Sequence, residues 1–370
     1  MSLKSKHKGN RVPVMVTGVG GGGHGEQIVK ALKLATTDYE IIGGDMSSVS
    51  KGLAVVDHPY LLLPASHADY LPAVLAVCKK HGVVALFHGS EPELKVMSKE
   101  RVKIEAQGIF LPINPSSVID LCMDKAKTMK WLTDAGFCVP RTAVITSLSD
   151  LDRVDFSPVV LKPSVGGGGS ANIMIAQTEE EVQYFGKYLL SIYPEFIIQE
   201  YMGTPEDEYT VGVLLSMDGE LLNSIAVKRF ILSSLSNRLK VPNRTKKSQL
   251  GPVLAVSSGV SQGEIGPFPE VTKQCEEIAL ALGCRGAVNI QCRFVNGKVH
   301  VFEINPRFSG TTSLRAMVGY NEPDTLIRRH VFGESIEPHA PYKTGFIMRG
   351  LEESFLTSVE IPEARELVSC

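Results

Sequence analysis

Three polar side chains near the end of the chain occupy alternate positions of one predicted strand. The sequence FEINPRF contains Glu303, Asn305 and Arg307, and alternate residues of a strand point to the same face. A carboxylate, an amide oxygen and a guanidinium in a row are costly to bury without partners. Magnesium that bridges polyphosphate oxygens would be such a partner, since it prefers oxygen ligands that include one or two carboxylates. Arg307 would then bind a phosphoryl or carboxylate group through two hydrogen bonds.

The preceding strand, in the sequence NIQCRF, carries Gln291. A hairpin turn at Asn296-Gly297 joins this strand to the next. A strict two-residue turn would pair Gln291 with Phe302 and would leave Glu303 on the opposite face. A common site for both side chains therefore requires a bulge or a wider turn in the hairpin. The alternative is an internal ion pair that closes the hairpin without binding a ligand.

A lysine followed by a glycine run is a second candidate for phosphate chemistry. In the sequence VVLKPSVGGGGS, Lys162 lies on a predicted strand just before the glycines. Lysine is a compact charge on a long stem, and successive backbone N–H groups in such a loop can bind phosphate oxygens. The spacing does not match a Walker loop. Taken alone, the sequence fits a phosphate clamp and a flexible turn beside a solvated lysine equally well.

Another glycine-rich loop, GVGGGGHG, follows the first predicted strand. It contains G-x-G-x-x-G at Gly18, Gly20 and Gly23, opens a helix, and is followed by Asp45 at the end of the next strand. This is the context of a dinucleotide site. The alternatives are a tight turn onto a helix and a helix N-terminus that binds another anion.

Four segments must position these residues. Residues 1–115 alternate strand-like and helical runs, which indicates parallel βαβ units in a doubly wound α/β sheet. Residues 116–202 contain linker helices and a small α+β lobe with the glycine flap. Residues 203–340 form a larger α+β lobe with the candidate metal site, and residues 341–370 form a C-terminal extension. Within the larger lobe, residues 233–251 are polar and basic and predict an exposed loop.

Composition excludes several classes of protein. The chain has 370 residues, of which 44% are hydrophobic and 21% charged, as is typical of two or three globular domains. A net charge of -2 provides no overall field for nucleic acid or an anionic membrane, and no apolar run reaches the ~20 residues of a membrane span. Seven cysteines are scattered singly, which favours buried thiols in the cytoplasm and argues against a zinc site.

Five motifs in order resemble the ATP-grasp superfamily across nearly the whole chain. They are DKAKTMKWLTDAGFCVP, PVVLKPSVGGGGS, IIQEYMGTPEDEYTVGVL, GAVNIQCRF and FEINPRFSGTTSLRAMVGYNEP. The chain is most similar to ligases of the carbamoyl-phosphate-synthase large-subunit type, and it also resembles the ligase of pyrrolysine biosynthesis. The resemblance implies an ATP-grasp fold in which the parallel sheet precedes two α+β lobes that clamp a nucleotide.

The resemblance also implies roles for individual residues. Adenine would lie between the lobes against the hinge, which consists of Gln199, Glu200, Tyr201 and Met202. Glu208 would contact the ribose. Phosphate oxygens would be bound by two lysines and covered by the glycine flap, namely by Lys125, Lys162, Gly166, Gly167, Gly168 and Gly169. Two Mg²⁺ or Mn²⁺ ions would be bound by Gln291, Glu303 and Asn305, and Arg307 would steady an acyl phosphate.

In this superfamily the first glycine loop normally faces the acceptor substrate instead of a dinucleotide. The candidate acceptor-site residues follow the first and fourth predicted strands: Gly20, Gly21, His24, His88, Ser90 and Glu91. Strand carboxyl ends present ligand groups in open α/β sheets. The alternatives are a surface loop whose acidic residues cap a helix and, for His24, a simple helix cap.

The function expected from this resemblance is ATP-dependent ligation of a carboxylate to an amine. ATP would convert the carboxylate into an acyl phosphate, and the amine would then displace phosphate. Phosphorylation of bicarbonate or carbamate is a second expectation, and the remaining alternatives are an ATP-binding regulatory module and a dehydrogenase that uses the first loop. The expected partners are small-molecule carboxylates and amines and a second copy of the chain in a homodimer, without nucleic acid or membrane.

Overall fold

The N-terminal strands form a parallel sheet with helices on both faces. The computed structural model describes residues 11–166, 172–350 and 361–367, and it orders these strands β3-β2-β1-β4. The strands and crossover helices are β1 (Val12–Thr17), α1 (His24–Lys33), β2 (Tyr39–Asp45), β3 (His58–Leu61), α2 (Tyr70–His81) and β4 (Ala85–Phe87). Val14 and Val16 pack with α1, whereas Met15 packs with α2 on the other face. The predicted doubly wound sheet is confirmed.

Short helices connect this sheet to the rest of the molecule. They are α3 (Glu91–Lys99), α4 (Arg101–Glu105), α5 (Ser116–Cys122) and α6 (Lys125–Asp134). The Asn114 side chain donates to the carbonyls of Ala287 and Pro306 and accepts from the Arg285 amide. This buried amide fixes the linker against the strands that carry the candidate metal ligands.

The small lobe is a four-stranded antiparallel sheet with order β5-β8-β6-β7. Its elements are β5 (Thr142–Ile145), α7 (Leu148–Leu151), β6 (Val159–Pro163), β7 (Met174–Ala176), α8 (Glu179–Leu190) and β8 (Phe196–Glu200). The glycine flap joins β6 to β7. Gly166 has a φ of 77°, which favours glycine, whereas Gly167, Gly168 and Gly169 lie outside the described residues.

The large lobe contains a six-stranded antiparallel sheet with order β15-β14-β9-β10-β13-β16 and a separate pair, β11 and β12. The strands are β9 (Glu208–Leu215), β10 (Leu221–Arg229), β11 (Asn237–Pro242), β12 (Val253–Ser257), β13 (Gly263–Gly266), β14 (Gly286–Val295), β15 (Lys298–Asn305) and β16 (Gly345–Ile347). The helices are α9 (Pro269–Ala281), α10 (Thr312–Met317) and α11 (Glu322–His330). Helix α9 packs on β9, β10, β14 and β15 over a buried apolar cluster.

Only part of residues 233–251 forms the expected exposed loop. They contain β11, which pairs with β12 in an antiparallel ribbon. The basic residues Arg238 and Lys240 are exposed, but Leu239 and Val241 alternate with them and pack on a hydrophobic cluster. The prediction was wrong for β11 because the many charged residues hid the alternation of exposed and apolar side chains. Such alternation with a period of two is typical of a half-buried strand.

A fully buried ion pair lies under the large-lobe sheet. Arg315 Nη1 is 3.0 Å from Glu322 Oε1, and both side chains are completely buried. Arg315 Nη2 also donates to Asn289 Oδ1 at 2.6 Å, and Thr312 Oγ1 donates to Glu322 Oε2 at 2.9 Å. A Cβ atom on Gly212 would lie 2.3 Å from Arg315 Nη1, so glycine is required where the guanidinium crosses β9. The pair therefore joins α10 and α11 to the strands that form the site.

The cysteines in the described part of the chain are free, and all of them except Cys138 are buried. Burial raises the pKa of the Cys78 and Cys284 thiols to about 12. These thiols are therefore protonated and unreactive, as the sequence predicts. Across the ranges that the structure describes, no helix has the length and apolar character needed to cross a bilayer.

We expect Arg315→Met to lower the free energy of unfolding by about 3–5 kcal/mol, because it leaves the Glu322 carboxylate buried without its partner. The double variant Arg315→Met/Glu322→Leu removes both charges and should recover most of this loss. Urea unfolding followed by circular dichroism measures both changes. A loss below about 1 kcal/mol in the single variant would contradict this role of the ion pair.

Candidate active site

A cleft between the two lobes has a volume of about 1400 Å³, including space open to solvent. Its lining comes from α6, β6, β8, β9, β10, β12, β14, β15 and the start of α3. The structure brings together in this lining most of the residues predicted from the sequence: Glu91, Lys125, Lys162, Gln199, Glu200, Tyr201, Met202, Glu208, Gln291, Glu303, Asn305 and Arg307.

The hairpin between β14 and β15 contains both a tight turn and a bulge. Asn296 and Gly297 have φ values of 52° and 75°, which is the left-handed conformation that a two-residue hairpin turn requires. Further along, the pairing shifts so that Gln291 pairs with Glu303 and Phe302 becomes the extra residue. Of the two arrangements that the sequence allowed, a bulge or a wider turn, the hairpin has the bulge. Gln291 and Glu303 therefore lie side by side on one face.

The bulge reverses the alternation of β15 halfway along the strand. His300 and Phe302 line the cleft before the shift, and Glu303 and Asn305 line it afterwards. A regular strand would have turned one of these two pairs to the opposite face. The irregularity consequently gives the cleft an aromatic section and an oxygen-rich section on the same strand.

Lys162 spans the cleft from β6 to the bulge. Its Nζ donates to the Phe302 carbonyl at 2.9 Å and lies 5.5 Å from the centre of the Phe302 ring. Burial lowers the pKa of Lys162 to about 7; the Glu303 charge opposes this shift, and the Lys125 charge adds to it. The ammonium group is therefore poorly compensated, and a polyanion in the cleft would stabilise its charged form.

Glu303 is held among cations and an amide. Lys125, the first residue of α6, places Nζ 3.5 Å from Glu303 Oε1, and Gln291 Nε2 donates to Glu303 Oε2 at 2.9 Å. Burial alone would raise the pKa of Glu303, but the positive charges of both lysines and of Arg307 lower it below its ordinary value. The carboxylate is therefore ionised, which is the state that binds a divalent cation.

Arg307 connects the metal-site strand to the N-terminal domain. Its Nη2 donates to Glu91 Oε1 at 2.9 Å and to Asn305 Oδ1 at 3.0 Å, and Nη1 donates to the Phe308 carbonyl at 3.0 Å. The buried Nε has no hydrogen-bond partner among the described residues. An unpartnered guanidinium donor beside a cleft is a suitable anchor for an anionic ligand.

The donor set fits a magnesium ion. Gln291, Glu303 and Asn305 offer two amide oxygens and one ionised carboxylate on neighbouring strands, and Mg²⁺ prefers hard oxygen ligands. Since the Gln291 NH₂ group donates to Glu303, its carbonyl oxygen is the atom left for a ligand. Binding would release Glu303 from its cations and make them available to phosphate.

Glu208 lines the cleft within a buried cluster that sequence reasoning missed. Its carboxylate oxygens accept from Arg229 Nη1 at 3.1 Å and from Arg293 Nη2 at 3.4 Å. Arg293 also donates to the Met202 carbonyl at 2.7 Å and packs on the ring of Tyr201. The sequence could have indicated Arg293, because it lies two residues after Gln291 on the same strand, a spacing that places two side chains on one face. A ribose contact by Glu208 remains a prediction.

The hinge is held in place by hydrogen bonds from its backbone and by hydrogen bonds between the Tyr201 hydroxyl and β12. The Glu200 and Tyr201 amides donate to the carbonyls of Arg141 and Pro158, and the Gln199 side chain donates to Thr142. The Tyr201 hydroxyl donates to the Ala255 carbonyl and accepts from its amide. These bonds fix the wall where the predicted adenine contacts lie, and those contacts stay a prediction.

A backbone amide of the first glycine loop is already bound by a side chain of the same domain. The Gly20 amide donates to Asp45 Oδ2 at 2.8 Å, and a Cβ on Gly20 would lie 1.5 Å from Ser50 Oγ. Gly21 is exposed with a φ of 72°. Because Asp45 binds the loop itself, it does not project freely as the ribose ligand of a dinucleotide site. Neither Gly20 nor Gly21 is part of the cleft lining.

His24 and His88 form a buried pair, with Nε2 of His24 3.2 Å from Nδ1 of His88. Burial and then the charge of Arg307 lower the pKa of both, that of His88 to about 3. The alternative of a helix cap is wrong for His24, because Gly23 is the N-cap. The alternative of a surface loop is wrong for His88, which is 1% exposed, whereas Ser90 does cap α3.

Comparison with known sequences identifies the family. A model of the ATP-grasp domain matches residues 122–311, and a model of the PylC-like N-terminal domain matches residues 15–112. The first match covers more than half of the chain. The chain therefore belongs to the ATP-grasp family, as its ordered motifs predict.

Particular relatives agree with this assignment. The chain is 24% identical over 328 residues to the carbamoyl phosphate synthase large chain of Brucella suis biovar 1, a match that covers 83% of this chain and 27% of the relative. The chain thus spans about a quarter of that protein. An ADP complex of N5-carboxyaminoimidazole synthetase from Staphylococcus aureus has a TM-score of 0.61 and 17% identity, with 90% of this chain and 80% of the other covered.

A second solved structure is the biotin carboxylase domain dimer of Hydrogenobacter thermophilus 2-oxoglutarate carboxylase, with MgADP, ADP and bicarbonate. Its TM-score is 0.56 at 17% identity, and the match covers 85% of this chain and 68% of the other. These likenesses confirm the predicted ATP-grasp fold. The ADP in both solved structures and the magnesium in the second agree with the cofactors expected from the sequence.

We expect Glu303→Gln to lower the pKa of Lys162 further below its value of about 7, because the variant removes the negative charge that opposes the effect of burial. Lysine side-chain NMR across a pH titration measures this value. Glu206→Gln, at an exposed position, is the control and should leave it unchanged. An unchanged or raised Lys162 pKa in Glu303→Gln would show that the two groups are not coupled.

Proposed function

We propose that the chain is an ATP-dependent ligase that activates a substrate carboxylate as an acyl phosphate for attack by an amine. One observation carries the proposal: the bulge in β15 places Glu303 and Asn305 beside Gln291, in the same cleft as Lys125 and Lys162. Oxygen ligands and cations are then available at one place for a metal ion and for polyphosphate. The relatives crystallised with ADP or MgADP support this use of the cleft.

Each side chain has a role in this proposal. Gln291, Glu303 and Asn305 would hold Mg²⁺ or Mn²⁺, which when bound neutralises phosphate charge. Lys125 and Lys162 would hold phosphate oxygens. The hinge residues would contact adenine and Glu208 the ribose, while the flap at 166–169 would cover the phosphates and exclude water.

The reaction needs no nucleophilic side chain. A carboxylate oxygen of the substrate bonds to the γ-phosphorus of ATP, and the bond to ADP breaks. The amine nitrogen then bonds to the acyl carbon, phosphate leaves with its bonding electrons, and the nitrogen loses a proton. Arg307 would orient the carboxylate or acyl phosphate through its Nε, which has no partner among the described residues.

The acceptor side of the cleft would lie toward the N-terminal domain. Glu91 reaches the lining and pairs with Arg307, so a bound carboxylate would compete with Glu91 for that guanidinium. The other predicted acceptor-site residues lie outside the lining and would act by shaping this wall: Gly20, Gly21, His24, His88 and Ser90. We also propose that the segments of the chain are divided at residues 115, 202 and 340. The chain would form a homodimer and would be located in the cytoplasm. Light scattering tests the homodimer.

The direct test measures ADP release with Mg²⁺ across a matrix of carboxylic acids and amines, with bicarbonate included. Release that requires both a carboxylic acid and an amine supports the proposal. Strong turnover with bicarbonate alone would instead favour phosphorylation of bicarbonate or carbamate. ATP binding without ADP release under any combination would favour a regulatory module.

Substitutions in the cleft test whether the activity belongs to it. Lys162→Met and Glu303→Gln should each lower ADP release by at least about 100-fold, the scale of losing one preorganised electrostatic contact to the transition state. Lys127→Met, which removes an exposed lysine two residues from Lys125, is the matched control and should retain full activity. Full activity in Lys162→Met would refute the assigned phosphate site.

Nucleotide binding should also be accompanied by proton uptake. At about pH 8, Lys162 is mostly neutral, and a bound polyanion would restore its charge, so we expect about one proton per ATP. Titration calorimetry in buffers of different ionisation enthalpy measures this number. Lys162→Met should bind with little uptake, and Lys127→Met should behave as the parent. Binding without uptake in the parent would place the phosphates away from Lys162.

A further inference from the structure

A cluster of metal-ligand side chains lies on the N-terminal domain, outside the cleft. Among the residues that the structure describes, one group of His, Cys, Asp and Glu side chains could share a cation: Glu40, His58 and His81. One candidate ligand atom from each lies within 4.8 Å of the others. None of the three lines the cleft between the lobes.

Three separate elements bring these side chains together. Glu40 is on β2, His58 begins the adjacent strand β3, and His81 is the last residue of α2. His58 Nε2 is 2.6 Å from Glu40 Oε1, and the rings of His58 and His81 have centroids 4.5 Å apart at an angle of 38°.

A hydrogen bond to one ring nitrogen of His81 leaves the other nitrogen for a ligand. Its Nε2 is 2.8 Å from the Tyr60 hydroxyl, so that partner fixes the ring and Nδ1 is the free coordinating atom. Histidine ligands commonly have such a hydrogen bond on their second nitrogen. In His58 the Nε2 atom that faces Glu40 is the candidate ligand.

The electrostatic environment is compatible with neutral imidazole at His81. Burial, and then the charges of His58 and Lys80, lower the pKa of His81, while Glu40 raises it. A neutral ring is the form that binds a metal. The Lys80 ammonium, which lies over the Tyr60 ring at 5.5 Å from its centre, opposes a cation. The carboxyl end of α2 contributes a favourable dipole.

We propose that Glu40, His58 and His81 form a binding site for a borderline divalent cation of the Zn²⁺ type, with water in the remaining position. Two imidazoles and one carboxylate suit zinc, whereas Mg²⁺ prefers an all-oxygen set. The scattered cysteines argue against a thiolate zinc site, and this site uses none of them. The ion would join β2, β3 and α2 and stabilise the N-terminal domain. This proposal does not depend on the ligase activity.

The test uses the full chain after treatment with a chelator. Titration calorimetry with ZnCl₂ should show one site that remains in the Glu303→Gln variant, which separates it from the cleft. Thermal unfolding should shift upward with zinc, since the ion binds the folded state. Loss of zinc binding in Glu303→Gln would assign the ion to the cleft and overturn the proposal.

Three ligand variants and a control complete the design. His58→Ala, His81→Ala and the near-isosteric Glu40→Gln should each weaken zinc binding by more than the roughly 10-fold that even an outer partner costs. His67→Ala removes an exposed histidine beside Asp69 and is the matched control. Metal-free thermal unfolding of each variant shows whether it folds. Unchanged zinc affinity in the folded variants would mean that the cluster is only a carboxylate–histidine hydrogen bond.

Discussion

A single extra residue in one strand organises the candidate active site. Because Phe302 has no partner on β14, β15 changes face at that point, and Glu303 and Asn305 turn toward Gln291 and the cleft. The same bulge presents the Phe302 carbonyl to Lys162 on the opposite lobe. Bulges commonly redirect side chains in this way beside functional sites. The candidate oxygen ligands, the position of Lys162 and the contact between the lobes thus depend on one local irregularity.

The charged side chains around the bulge suit a metal ion and a polyphosphate bound together. Glu303 neutralises two lysines and Arg307 only in part, and burial keeps the pKa of Lys162 near 7. A divalent cation would occupy the carboxylate, and polyphosphate would occupy the lysines, so the two ligands reinforce one another.

The supports of the site are polar as well as apolar. Arg315 and Glu322 form a buried pair directly beneath the sheet, and Arg315 reaches Asn289, the residue opposite Asn305 in the hairpin. Asn114 fixes the linker to the same strands. Arg315 Nε has no hydrogen-bond partner among the described residues, but the other contacts of the network hold the strands of the site in a fixed geometry, which is what aligned phosphoryl transfer needs.

The sequence by itself determined the parallel N-terminal sheet and the need for a bulge or a wider turn between Gln291 and Glu303, because these follow from periodicity and turn chemistry along the chain. It also contained the ordered motifs that resemble the ATP-grasp superfamily. Only the tertiary structure decided that Asp45 binds its own glycine loop and that Arg293 secures the hinge. It also decided that the basic segment 233–251 contains a strand. These outcomes depend on contacts between residues far apart in sequence, which local patterns do not encode.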